Sequence, residues 1–222
     1  MKINRKWGMP AHETFNCPPI RSFVDYYLRQ SKISVDPFAR NFDGCTYTND
    51  LNPNTQAQYH MDVLDFLEMI YDKNIHPDLI VFDPPYSPRQ IMECYNGIGL
   101  KMPYDRTLGW SKVFNLIINI LPINGVFLQF GWSTSGLGMT RGFTIEQILL
   151  VAHGGSHNDT ICMAERRTSE QLEMFPYNTA LYSDRQGRAA EETEKIVSSL
   201  PTSELNRYPY LPYHAEMGCR GK

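Results

Sequence analysis

Two rhythms of apolar positions alternate along this 222-residue chain. In PPIRSFVDYYLR, residues 18–29, Ile20, Phe23, Val24, Tyr27 and Leu28 share one face of a helix, and Pro18 and Pro19 suit its first turn. KISVDPF, residues 32–38, then reads as a short buried strand that Pro37 ends. CTYTNDL, residues 45–51, reads as a second strand, ending in Asp50. VLDFLEMIYDK, residues 63–73, is an amphipathic helix. DLIVFD, residues 78–83, is an unbroken apolar strand of the kind buried in a parallel sheet covered on both faces. WSKVFNLIINIL, residues 110–121, is another helix, with Ser111 near its start, and GVFLQFGW, residues 125–132, is a strand entered through Asn124-Gly125. Residues 145–167, IEQILLVAHGGSHNDTICMAERR, read as two strands around a turn rich in Gly, His and Asn.

Strands alternating with helices predict an α/β fold on a mostly parallel sheet, and the closing pair with its short turn predicts one antiparallel edge strand. From Thr168 the chain turns polar and then rich in Pro and Tyr. The expected organisation is a domain over 1–167 and a partly ordered tail over 168–222.

Composition narrows the class. Hydrophobic residues at 42% and charged residues at 20% fit a water-soluble domain with a sizeable core. No run approaches the roughly 18–20 apolar residues that span a bilayer, and the first residues do not resemble a secretory signal. Cys17, Cys45, Cys94, Cys162 and Cys219 are odd in number, scattered and without a CxxC pair. They argue against a disulfide framework or a zinc knuckle and for a reducing compartment, the cytoplasm. His153 and His157 sit in a Gly-rich turn, and no metal is expected there. A net charge of −3 gives no sign of nucleic-acid binding but leaves room for a local basic patch.

Acids at strand ends carry the candidate chemistry. Ligands of open parallel sheets bind outside the carboxyl ends of the strands. Asp36, Asp50 and Asp83 lie at or just after such ends, and Asp62 lies between the second strand and the next helix. Any one of them could equally cap a helix or close a turn. Four in this order point to a nucleoside-type ligand. LIVFDPPYSP, residues 79–88, is sharper. The Pro84-Pro85 step is stiff and lacks N–H donors, so the Asp83 carboxylate and the Pro84 carbonyl stand as adjacent acceptors. Two acceptors match an exocyclic amino group, and Tyr86 beside them can stack on the base that bears it.

On these residues the chain resembles the amino-methyltransferases of DNA, over roughly residues 12–167. The resemblance implies the Rossmann-like seven-stranded α/β sheet of methyltransferases that use S-adenosylmethionine. It also implies transfer of a methyl group to the N6 of a flipped adenine. Asp83, Pro84, Pro85 and Tyr86 match the DPPY motif, in which the Asp and first Pro carbonyl hold the target amine and the aromatic stacks on the base. VDPFARN resembles the first cofactor loop, DPFxGxG, through Asp36, Pro37, Phe38 and Ala39. Arg40 and Asn41 depart from it where the family often has small residues. Asp50 matches the acid that binds ribose hydroxyls, Asp62 the acid that reads the cofactor's adenine amino group, and Phe66 is expected to cover that ring. Phe15, Asn16, Cys17 and Pro18 fall where the family has a segment against the methionine end of the cofactor.

Arg89, Lys101, Arg106 and Arg141 lie in the two loops expected on the ligand side and are the candidate phosphate contacts; each alone reads equally as surface charge. The partner implied is nucleic acid, DNA before RNA. The alternatives are RNA adenine-N6 methylation, cytosine-N4 methylation, and a non-catalytic subunit that binds nucleic acid. The chain leaves little room for a target-recognition domain, so the site read is short, or a partner or second copy supplies specificity. Small enzymes of this kind are frequent in phages and mobile elements, so the resemblance suggests a bacterial or phage-infected cell.

Overall fold

The structure, a computed structural model, describes residues 1–101, 110–155 and 157–170, all within the compact unit Met1–Leu172. The tail expected from Thr168 therefore lies almost wholly outside the described residues, as does Arg106. Seven strands form one sheet: β1 (Lys2–Trp7), β2 (Ser34–Asp36), β3 (Tyr47–Thr48), β4 (Leu79–Phe82), β5 (Val126–Gly131), β6 (Phe143–Ala152) and β7 (Thr160–Arg167). Among the described residues four α-helices join them: α1 (Pro18–Leu28), α2 (Val63–Asp72), α3 (Pro88–Gly97) and α4 (Ser111–Ile120).

The strand order is β1-β6-β7-β5-β4-β2-β3. Every strand pair is parallel except those made by β7, which runs antiparallel to both β5 and β6. The mixed α/β sheet expected from the sequence is present, with its antiparallel strand one place further in. The hairpin puts β7 inside, and β1 pairs with β6 over Lys2–Trp7, so the outer strand is a parallel one. At the other edge, a single parallel bridge between Asn49 and Tyr59 extends the sheet beyond β3.

β4 and β5 are buried along their whole length, as unbroken apolar strands between two helical layers should be. Pleat alternation divides them. Leu79, Val81, Leu128 and Phe130 join Ile20, Phe23 and Val24 of α1 on one face. Ile80, Phe82 and Phe127 join Phe66, Leu67 and Ile70 of α2 and Val113 and Ile117 of α4 on the other. Both cores leave the carboxyl ends of β2, β3, β4 and β5 on one side, because these four strands are mutually parallel. The opposite ends are fixed by Asp78, whose carboxylate accepts the Ser31 hydroxyl at 2.5 Å and the backbone N–H of Lys32 and Ile33. Among the described residues no helix is long and apolar enough to cross a membrane.

Candidate active site

A cleft of about 880 Å³ opens at the carboxyl ends of β2, β3 and β4. The chain turns sharply as it leaves each strand, and the turn chemistry delivers the acids. Asp36 ends β2, and its Oδ1 accepts the Phe38 N–H at 2.9 Å in a tight Asx turn. Asp50 follows β3 and does the same for Asn52 at 2.8 Å, while its Oδ2 accepts the Arg40 N–H at 3.1 Å. Asp62 caps α2, its Oδ1 accepting from Leu64 N–H at 2.9 Å and its Oδ2 from the Tyr95 hydroxyl. Asp83 leaves β4 into Pro84-Pro85, and its Oδ1 accepts the Tyr86 hydroxyl at 2.6 Å.

A residue not singled out from the sequence ties these turns together. Asn49, 1% exposed, donates from Nδ2 to the carbonyls of Pro37 and Met61 and accepts the Met61 N–H on Oδ1. One side chain thereby fixes the exits of β2 and β3 relative to the segment that carries Asp62. An amide with two donors and an acceptor can serve all three without a net charge.

Burial sets the electrostatics. It holds the Asp36 carboxyl well above the ordinary carboxylate range, and the negative charges of Asp83 and Asp50 add to the effect. Its Oδ2 is buried without a hydrogen-bond partner among the described residues. Burial also raises Asp83, against hydrogen bonds from Thr14 and Tyr86 and the positive charge of Arg40, which pull it back down. Asp50 is raised by burial too, and the N–H groups of Asn52 and Arg40 oppose the rise. The Tyr86 hydroxyl is pushed up by burial and by the adjacent Asp83 charge, so it stays a donor. Asp50 and Asp83 line the cleft, and a cation bound beside them would bring them back down; Asp36 is fully buried and lines neither cavity.

Of the residues expected from the sequence, Pro37, Phe38, Asp50, Asp62, Asp83, Pro84, Pro85 and Tyr86 line the cleft. Phe15, Asn16 and Ala39 line a smaller chamber of about 110 Å³ that adjoins it. Phe66 is a correction: it is fully buried in the core under α2, packed at 5.7 Å on Tyr59, and does not reach the cleft. Cys17 is likewise buried in the core, and Pro18 opens α1 beside it. Phe15 packs edge-to-face on Phe42 and Phe130.

The basic residues divide. Arg89 pairs with Glu93 on the exposed face of α3. Arg141 donates to the Leu137 carbonyl and lies over the Phe114 ring at 5.8 Å, so it serves the packing of its loop. Lys101 is exposed after α3, and Arg106 is outside the described residues. The histidine pair in the β6–β7 turn separates too. His153 donates from Nδ1 to the Gly8 carbonyl, and its Nε2 hydrogen-bonds with the Thr160 hydroxyl at 2.8 Å. It joins the N-terminal segment to the hairpin. Among the described residues no group of three or more His, Cys, Asp or Glu is placed to hold a metal ion.

Several cleft residues were not found from the sequence. α3 contributes Gln90, whose Oε1 accepts the Tyr86 N–H at 2.7 Å, and Tyr95 on Asp62. Trp110 packs on Phe38 and Phe82 at the cleft wall. Trp132, 47% exposed just past β5, is not among the residues that line the cleft but lies edge-to-face against Tyr86 at 5.4 Å.

No protein-family model matches the chain, and no curated protein matches it. Solved structures do, at low identity. TrmN from Thermus thermophilus aligns at 13% identity and a TM-score of 0.45, over 68% of this chain and 49% of that one. A SAM-dependent methyltransferase from Agrobacterium tumefaciens aligns at 11% identity and a TM-score of 0.43, over 67% of this chain and 60% of that one. The N-methyltransferase NodS from Bradyrhizobium japonicum WM9 aligns at 10% identity and a TM-score of 0.43, over 68% of this chain and 98% of that one. The chain thus spans about half the length of TrmN.

Proposed function

We propose that the protein is an S-adenosylmethionine-dependent methyltransferase that acts on the exocyclic N6 amine of adenine in DNA. One observation carries the reading: the Asp83-Pro84-Pro85-Tyr86 corner stands at the end of β4 and opens into the same cleft as Asp50 and Asp62.

The donor set suits the cofactor. The cleft holds carboxylates for sugar hydroxyls at Asp50 and for a ring amino group at Asp62. Asp50 accepts the Arg40 and Asn52 N–H groups, and Asp62 accepts the Leu64 N–H and the Tyr95 hydroxyl, which fixes both carboxylates at the cleft wall. Phe38, Trp110 and Ile91 supply apolar walls. When bound, the cofactor supplies an electrophilic methyl on a sulfonium. The protein's own part is positional. The lone pair of an adenine amine is delocalised into the ring, so the nitrogen is a poor nucleophile. Asp83 and the Pro84 carbonyl accept its two N–H groups and favour a pyramidal nitrogen that aims its lone pair at the methyl. Tyr86, held by Gln90 and Asp83, keeps the base plane fixed. Preorganised acceptors of this kind act without reorganisation at the moment of reaction. The base must leave its stack, which costs a few kcal/mol unless the strand is already single. Sequence reading is then left to the segment after Tyr86, the 132–138 loop or a partner.

The test is direct. The protein is incubated with S-adenosylmethionine and, separately, duplex DNA, single-stranded DNA and RNA, and the digested nucleosides are read by mass spectrometry. N6-methyldeoxyadenosine is the expected product. N6-methyladenosine from RNA, or N4-methylcytosine, would move the substrate within the same chemistry. No methylated nucleoside from folded protein would leave the binding-subunit alternative.

A further inference from the structure

We propose that the edge strand β1 is a second contact for the substrate, holding single-stranded DNA beside the reacting base through Trp7 and the side chains of Lys2, Arg5 and Lys6. This rests on the reading above that the protein acts on nucleic acid, and adds a binding surface outside the cleft.

Strand direction places the surface. β1 runs parallel to β6, β6 antiparallel to β7, and β7 antiparallel to β5. β1 therefore points the same way as β5 and β4 and ends on the side of the sheet where the cleft opens. Trp7 closes β1 at that end, as Trp132 follows β5 and Asp83 follows β4. Three interstrand steps separate β1 from β5, about 14 Å at the usual strand spacing. A nucleic-acid strand that leaves Tyr86 past Trp132 crosses that distance in a few nucleotides.

The surface offers a flat ring and a cluster of cations. Trp7 is 65% exposed, yet the backbone that carries it is fixed. Gly8, the next residue, donates its N–H to the Ala152 carbonyl at 3.1 Å, and its own carbonyl accepts from His153 Nδ1 at 2.6 Å. A ring held on a fixed backbone has less freedom to lose when a base stacks on it. Lys2, Arg5 and Lys6 are exposed and make no ion pair among the described residues. No Asp or Glu precedes Glu13, and the β6 residues in register with β1, Gln147 to Ala152, include none. Glu146, just before them, is already paired with Arg166. In a chain of net charge −3, β1 is thus a local cationic strip.

The chemistry selects the occupant. Lysines commonly guard a free sheet edge, which accounts for Lys2 and Lys6. It does not account for a large exposed indole beside them. A second copy paired along β1 would bring the three cations of each chain together, and like charges opposed across strands are destabilising. A chain of alternating phosphates and bases satisfies both the cations and the ring. Its bases must be unpaired, because those of an intact duplex are already stacked on one another.

The experiment measures binding of the full chain to a fluorescein-labelled single-stranded DNA oligonucleotide and to its duplex, by anisotropy across a range of salt. All four side chains are exposed, so their replacements should fold. Trp7→Ala should weaken single-strand binding by about 5- to 100-fold with an unchanged salt slope, and duplex binding much less. Replacing Lys2, Arg5 and Lys6 together by Gln should lower the slope of log K against log salt by about 2, at about 0.7 for each phosphate contact on a single strand. Wild-type affinity and slope in both variants would overturn the β1 contact and leave the methyltransferase reading standing. A dimer that Trp7→Ala dissociates, with single-strand binding unchanged, would give the edge to a second copy and overturn the contact as well. The expected losses in a protein that makes no methylated nucleoside would uphold the contact and overturn the methyl-transfer reading.

Discussion

The Tyr86 hydroxyl donates to Oδ1 of Asp83 at 2.6 Å, so the aromatic plate and the acid at the end of β4 form one unit. Burial raises the Asp83 carboxyl, and this hydrogen bond is one of the interactions that restrain it. Tyr86→Phe keeps the ring and removes the restraint, so the Asp83 pKa should climb further. In the proposed mechanism Asp83 accepts an amine proton only when ionised, so turnover should rise with pH through its raised pKa. In Tyr86→Phe that acid limb should move to higher pH, with the plateau little changed. Initial rates across pH for both proteins check this, and coincident profiles would separate Tyr86 from the ionisation of Asp83.

Asp83→Asn tests the acid itself with almost no change of shape. An amide keeps one acceptor but presents an N–H where the carboxylate had a second. Removing one preorganised group of this kind lowers turnover by about 10²–10³-fold. The cofactor dissociation constant should change far less, since Asp50 and Asp62 are untouched. Single-turnover rates and calorimetry on the same preparation distinguish the two effects. Near-normal turnover in folded Asp83→Asn would refute the assigned role.

The parts legible in the sequence are those in which burial and turn chemistry act together. LIVFDPPY gave both a buried strand and its exit, because four apolar residues and two prolines leave little choice of conformation. β1 gave no signal because none of the side chains of KINRKW is buried, and a strand without a buried face has no period to read. α3 was missed for the related reason that only Ile91 and Tyr95 of its ten residues are buried. Phe66 lies on the apolar stripe of α2 with Val63, Leu67 and Ile70, so periodicity places it in the core. The resemblance placed it at the ligand, and the period is what the structure bears out. Arg40 looked like a defect in a glycine loop. Its φ of +52° shows that the loop keeps the glycine-like conformation with a side chain attached. Long-range partners such as Tyr95 on Asp62 leave no local trace.

Stability should respond to pH through Asp78, on the side of the sheet away from the cleft. Its carboxyl is held below its usual value by the Ser31 hydroxyl and the N–H groups of Lys32 and Ile33, which outweigh its burial. A depressed carboxylate contributes stability above its unfolded pKa, and the contribution is lost as pH falls through the folded value. Asp78→Ala should therefore destabilise the protein by about 1–3 kcal/mol at neutral pH and by progressively less below pH 3.8. Urea unfolding at neutral and acid pH measures the difference. A pH-independent loss would mean that the side chain acts by packing alone.

Phosphate-binding residues are best assigned by salt dependence, because a cation already paired in the protein releases few counterions from DNA. Arg89 is paired with Glu93, and Arg141 is held by Leu137 and the Phe114 ring. Lys101 is exposed on the segment that leaves α3, which continues to Arg106. Neutralising one side chain that binds a phosphate should lower the slope of log K against log salt by about 0.9 on duplex DNA. The double replacement Lys101→Gln, Arg106→Gln should thus flatten the slope by about 2 and weaken binding uniformly across sequences. Replacement of Arg89 should change the slope much less, since Glu93 already neutralises it. If the double variant keeps the wild-type slope, Lys101 and Arg106 do not touch phosphates. The exposed Trp132 beside Tyr86 would then be the next residue to replace, since removing a stacking ring weakens binding without changing the salt slope.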